Sequence, residues 1–156
     1  MLSLCDPHIV VKYIVPKGSE YYINNRSMVS NQIIIIKKMC LVTKNPEQTA
    51  KEDITCYKVV FLEGNKLLSF YQDFEYILNN LYTTVISYTH DLIEEDYICI
   101  ERAFHSYTSL DHAMRFLQDP ALSDAVIVKC IIPKGAKFYQ DYECFASSQI
   151  IIKQIL

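Results

Sequence analysis

The sequence predicts an α+β domain: a mostly antiparallel sheet, with a duplicated three-strand unit and one or two helices. Three observations predict it. Isoleucine and valine are plentiful while Gly and Ala are few, and β-branched residues suit a pleated, half-buried surface. Only "TSLDHAMRFLQD" spaces its apolar residues as a well-formed helix does. A nine-residue phrase also occurs twice, as "IVPKGSEYY" from Ile14 and "IIPKGAKFY" from Ile131.

A chain of 156 residues makes one domain. Hydrophobic residues are 51% and charged residues 21%, enough to build a core and too apolar for global disorder. We divide it into a first PKG unit (residues 1–42), a linker or loop (43–54), and a hairpin, helix and second PKG unit (55–156). The net charge of −3 and scattered Lys and Arg argue against a general nucleic-acid binder. No signal peptide or bilayer-length apolar run is present, so the expected compartment is the cytosol. The six cysteines show no C-x-x-C spacing, which points to free thiols and no zinc.

The repeat defines the first element. Aligned without a gap, residues 9–35 and 126–152 are identical at Val11/Val128, Lys12/Lys129, Ile14/Ile131, Pro16/Pro133, Lys17/Lys134, Gly18/Gly135, Tyr22/Tyr139, Ser30/Ser147, Gln32/Gln149 and the three isoleucines that follow. Such self-similarity marks one supersecondary unit written twice. Each copy reads as a β-branched strand, a turn, a returning strand and a closing isoleucine-rich strand covered on both faces. Proline suits the second position of the turn, and glycine its exit.

Between the copies, "TKNPEQTAKED" is polar and reads as an exposed loop. Residues 55–62 and 66–71 read as a hairpin about Glu63-Gly64-Asn65. "DFEYILNNLY" fits a short helix or a strand, while "TTVISYTH" and "DYICIERAF" read as strands. The helix begins with Thr108 and Asp111 at capping-box spacing. Leu110, Ala113, Met114 and Leu117 make its apolar face, and Pro120 marks its end.

The candidate ligand site lies where the strand, loop and helix meet, in "ERAFHSYTSLDHA". A helix start offers backbone N–H groups to an anion. His105, Ser106, Tyr107, Thr108 and Ser109 supply donors and a base, and Arg102 supplies a cation. Lys134 and Tyr139 of the second PKG unit add charge and a stacking face. The structural alternative stays open: Thr108 or Ser109 as a cap, His105 satisfying a loop carbonyl, Lys134 solvated and Tyr139 in a buried face. No metal ligand set, cofactor motif or catalytic set is read.

The segments "CYKVVF", "NKLLSF", "AFHSYTSLDHAMRF", "VIVKCIIPKGAKFY" and "FASSQIII" resemble small proteins of phages and gut bacteria, a group with no established activity. The resemblance implies a phage or mobile-element accessory protein in a host cytosol, binding a host protein or a nucleotide-like signalling molecule. "HSYTS", "LDHAMRFL" and "VIVKCIIPKGAKF" also run in the order of the ADP-ribosyltransferase fold. That similarity implies an NAD-consuming enzyme as one alternative. The family's glutamate is missing here: "ECFASSQIII" has Gln149 and no Glu two residues on. The apolar last strand suggests a third reading, a structural or assembly subunit pairing through strand edges.

Overall fold

The computed structural model describes residues 11–14, 20–23, 28–30, 34–37, 41–69, 74–90, 96–118 and 124–156. The chain forms two compact units, Met1–Met39 and Cys40–Leu156. The described residues are mostly antiparallel strands with one α-helix, as the composition predicts.

The first unit holds two strand pairs. Strand β1 (Val11–Ile14) runs antiparallel to β4 (Ile34–Lys37), with Tyr13 opposite Ile35 and Ile14 opposite Ile34. Strand β2 (Tyr21–Ile23) runs antiparallel to β3 (Met28–Ser30), with Tyr21 opposite Ser30, Tyr22 opposite Val29 and Ile23 opposite Met28. Pro16, Lys17 and Gly18, the first copy of the turn, lie outside the described residues, as do Cys5, Cys40 and Pro120.

The second unit opens with β5 (Leu41–Thr43) and β6 (Gln48–Thr49). The hairpin follows as β7 (Ile54–Glu63) and β8 (Lys66–Leu68), with Glu63 opposite Lys66. Gly64 sits at φ 59°, in the left-handed region such a tight turn requires. The ambiguous segment resolves into β9 (Glu75–Tyr76), a turn and β10 (Leu81–Thr83). Strands β11 (Ser87–His90), β12 (Ile98–Arg102) and β13 (Phe104–Tyr107) lead to helix α1 (Leu110–Phe116). The chain closes with β14 (Ala125–Ile132), β15 (Lys137–Gln140), β16 (Cys144–Ser147) and β17 (Gln149–Ile155).

The ten-stranded sheet runs β10-β17-β14-β7-β13-β16-β15-β6, with β8 on β7 and β9 on β8. Its connections force it to curl. Four strand spacings separate β14 from β15, about 19 Å in a flat sheet. Yet residues 133–136 join them in one turn, with the Ala136 N–H on the Pro133 carbonyl at 3.0 Å. A β-turn spans less than about 7 Å, so the intervening strands roll. The four residues from β9 to β10 close the other end, where Phe74, Tyr76 and Tyr82 meet edge to face at 5.0–5.3 Å.

Rolling creates an inner face from alternate residues. Cys56 and Val60 of β7, Val128, Cys130 and Ile132 of β14, Ile150 and Ile152 of β17, Phe138 of β15 and Phe145 of β16 form one buried cluster. Helix α1 packs on the outer face over β7 and β13, where Ala113 is fully buried and the Tyr107 and Phe116 rings lie 6.0 Å apart. A separate sheet, β11-β12-β5, lies against β15 and β16, with Tyr88 on Tyr139 at 6.2 Å.

Four sequence expectations need correcting. The second turn begins at Pro133, so Gly135 takes the third position at φ 88°; the positive φ, more than the proline, fixes the frame. The polar loop is not simply exposed: Gln48–Thr49 pairs with β15, Ala50 is 3% exposed, and Asp53 Oδ1 accepts from the Lys134 N–H at 2.9 Å. Leu110 and Met114 of the expected helical face are 36% and 52% exposed, because α1 turns His112, Ala113 and Phe116 inward. Finally, β17 has neighbours on both sides over its first half only, and Gln154 and Ile155 pair with β14 alone among the described residues. The first half pairs with β10, and burial there alternates about Ile150 and Ile152.

Candidate functional site

The structure distributes the candidate residues over several surfaces. Strand alternation puts His105 and Tyr107 on the outer face and Ser106 on the inner face. His105 lies in one cross-strand row with Ala146 and Tyr139. Ala146, fully buried, separates the two rings by two strand spacings, about 10 Å. Tyr139 is 5% exposed, and burial first, then the charges of Glu47 and Tyr88, raises its pKa above the ordinary value. Lys134 is exposed in the turn, and Arg102 is exposed on β12. These side chains do not converge on a single ligand.

The helix start is occupied by the protein itself. Ser109 is the N-cap, and its Oγ accepts from the His112 N–H at 3.2 Å. Thr108, expected in that role, faces the other way. Its Oγ1 lies 3.1 Å from the Tyr142 carbonyl, 3.2 Å from the Glu143 carbonyl and 3.0 Å from His112 Nδ1. One hydroxyl hydrogen serves one acceptor at a time, so with that hydrogen on a carbonyl His112 Nδ1 is the donor to Thr108. His112 Nε2 and Arg115 Nη1 approach Glu143 Oε1 at 3.9 and 3.4 Å. Asp141 Oδ1 accepts from the Glu143 and Cys144 N–H groups. This chain ties α1 to the β15–β16 turn. The two main-chain carbonyls compete with His112 Nδ1 for the single Thr108 hydroxyl hydrogen.

Polar groups also meet inside the sheet, where sequence reasoning placed only core. Cys56 stands directly opposite Cys130 on β7 and β14, and both are fully buried. Two residues on, inward-facing Lys58 donates to the His105 carbonyl at 2.7 Å and lies 5.8 Å from the Tyr76 ring centroid. Among the described residues Lys58 has no carboxylate partner, and Ser106 Oγ, in a residue 3% exposed, has no hydrogen-bond partner of good geometry. The Cys56 thiol is lowered chiefly by the Cys130 S–H, against the opposing effect of burial, with help from Ser106, Lys58 and the Ile132 backbone. Cys130 is pushed up by the same contact and by burial. Only the cross-strand register brings these groups together, and no local motif signals it.

No family model, curated protein or solved structure matches the chain. Among the described residues no group of three or more His, Cys, Asp or Glu could hold a metal ion, and no helix is long and apolar enough to cross a membrane.

Proposed function

We propose that the protein is a non-enzymatic binding protein that captures an extended segment of a partner protein by strand addition to its N-terminal PKG unit. The observation that carries this reading is a correspondence of registers. Tyr21, Tyr22 and Ile23 face Ser30, Val29 and Met28; their counterparts Phe138, Tyr139 and Gln140 face Ser147, Ala146 and Phe145. Tyr13 and Ile14 face Ile35 and Ile34, as Cys130 and Ile131 face Ile152 and Ile151; at Val11 and Lys12 the partners depart by one residue, because β14 and β17 shift register between Lys129 and Cys130. Every residue of the five matching pairs is offset by the same 117 positions (131 − 14) as the repeated phrase. Duplication of one unit accounts for all five correspondences.

The copies differ in what lies between their strand pairs. In the second, β14 also pairs with β7, and β16 also pairs with β13. In the first, among the described residues, β1 pairs only with β4 and β3 only with β2. On this reading a partner supplies the counterparts of β7 and β13, as an extended segment pairing antiparallel to β1. The dispersal of the candidate ligand residues favours a protein partner over a nucleotide-like ligand. Sequestration of a host protein by a phage or mobile-element accessory protein in the host cytosol fits this chemistry.

The test is photocrosslinking from the full chain with a photoreactive residue at Lys12, in host lysate. Leu62 N donates to Asp124 O, which puts Val128 among the residues bonded to β7; its counterpart is Val11. We expect one host polypeptide to crosslink and Val11→Pro, which removes that N–H, to abolish the product. Undiminished crosslinking in Val11→Pro overturns the reading. A thermal shift with NAD, ADP-ribose or a cyclic nucleotide, absent in His105→Ala, would replace it with a nucleotide site.

A further inference from the structure

We propose that Cys56 and Cys130 form a redox-active dithiol, which a small hydroperoxide oxidises to a cross-strand disulfide between β7 and β14. The two residues occupy the same row of the ladder. The Leu62–Asp124 hydrogen bond fixes the parity of that ladder, so Cys56 and Cys130 fall at a hydrogen-bonded pair. Opposite Cα atoms at such a pair lie about 5.5 Å apart, within the Cα range a disulfide bridges, and the Cβ atoms, about 5 Å apart, must draw together by roughly 1 Å to close it. Both thiols are fully buried on the same face of the ladder, and the Cys130 thiol lies 3.6 Å from the Val128 carbonyl.

The surroundings give the two sulfurs unequal roles. The contact with Cys130 most of all favours the thiolate at Cys56, against its burial, while the same contact and burial hold the proton on Cys130; the Lys58 charge acts on both. A thiolate beside a resolving thiol is the arrangement that peroxide oxidation requires. Full burial of both thiols excludes large oxidants. A small neutral peroxide is the oxidant this geometry admits.

The step balances. The Cys56 thiolate attacks one peroxide oxygen, the O–O bond breaks, and the leaving hydroxide takes a proton to become water. Cys130 then attacks the resulting sulfenic sulfur. The S–O bond breaks, the S–S bond forms, and a second water leaves with the Cys130 proton. Two thiols lose two protons and two electrons, and one hydrogen peroxide is reduced to two waters.

The experiment treats the reduced, full-length protein with hydrogen peroxide, quenches, unfolds it in an alkylating agent and maps the peptides by mass spectrometry. The expected result is loss of two alkylatable thiols per chain, a linked peptide pair holding Cys56 and Cys130, and restoration of both thiols by dithiothreitol. Cys144→Ser should leave this product unchanged. In Cys130→Ser the reaction should stop at a sulfenic acid that dimedone traps on Cys56. Full alkylation of Cys56 and Cys130 in peroxide-treated wild type overturns the proposal without reference to any variant. So does peroxide chemistry confined to other cysteines.

Discussion

Lys58 Nζ donates to the His105 carbonyl oxygen at 2.7 Å, placing a half-buried ammonium on the apolar inner face beside Cys56 and Val60. A desolvated charge with one fixed acceptor adds little net stability, because its hydrogen bond mainly offsets lost hydration. Lys58→Met should therefore fall within about 1 kcal/mol of wild type. Lys58→Glu sets a carboxylate against that carbonyl with no donor and should cost about 3 kcal/mol. Urea unfolding at neutral pH distinguishes them; equal losses in the two variants would count against this account.

Ser109 and Thr108 divide the work at the start of α1, the first as cap and the second as tie to the Tyr142 and Glu143 carbonyls. Ser109→Ala should cost about 1 kcal/mol, and Thr108→Val about as much through its lost hydrogen bonds. Both side chains engage His112, through its backbone N–H and its ring. The double variant should thus deviate from additivity by about 0.5 kcal/mol or more. Strict additivity in a double-mutant cycle would show that His112 does not couple them.

How much of this was legible varies with the range of the interaction. The β7–β8 hairpin could be read because Gly64-Asn65 encodes its turn locally. The existence of α1 could be read from spacing, but not its cap, because the Thr108 hydroxyl answers to carbonyls 34 and 35 residues away. Leu110 and Met114 look like core by periodicity, yet which side of a short helix is covered depends on where the sheet lies. The Cys56–Cys130 pair depends on the register of two strands far apart in sequence, which neither residue advertises. The turn at Pro133 was legible in kind and misframed by one residue, because proline tolerates the first turn position whereas positive φ restricts the third.

Gly135 tests that frame. It holds φ 88°, and a Cβ added there would meet nothing within 4 Å. The cost of Gly135→Ala is then backbone strain alone, about 1–2 kcal/mol. Gly135→Asn should cost less, since asparagine visits this region more readily. Thermal unfolding of the two variants gives the comparison, and an alanine variant as stable as wild type would rule out the assigned turn.

Burial along β17 changes abruptly, and two isoleucines of one strand should behave differently. Ile152 is fully buried and Ile155 is 40% exposed. Ile152→Ala removes packed core and should cost about 2–5 kcal/mol. Ile155→Ala should stay within about 0.5 kcal/mol, as an ordinary surface change does. Comparable losses in denaturant titrations would mean that the second half of β17 is covered in solution.

Alkaline pH should expose the buried thiol of β16. Burial first, then the negative charges of Asp141 and Glu143, raises Cys144 above the ordinary thiol value, and burial does the same to Tyr139. Both groups keep their protons to higher pH in the folded chain than in the unfolded one. The unfolded state therefore binds fewer protons above the free thiol value of about 8.5, and stability declines from there as pH rises. Each such group contributes at most about 1.4 kcal/mol per pH unit. The stability is complete below that window, so acidification should not restore more. Cys144→Ala should make the fall above about pH 8.5 shallower, whereas Tyr139→Phe should act only above about pH 10, where a free tyrosine ionises. Urea midpoints measured from pH 7 to 11 separate the two. An unchanged slope in Cys144→Ala would place the alkaline limb elsewhere, on the Cys56–Cys130 pair, where Cys130 likewise holds its proton in the folded state.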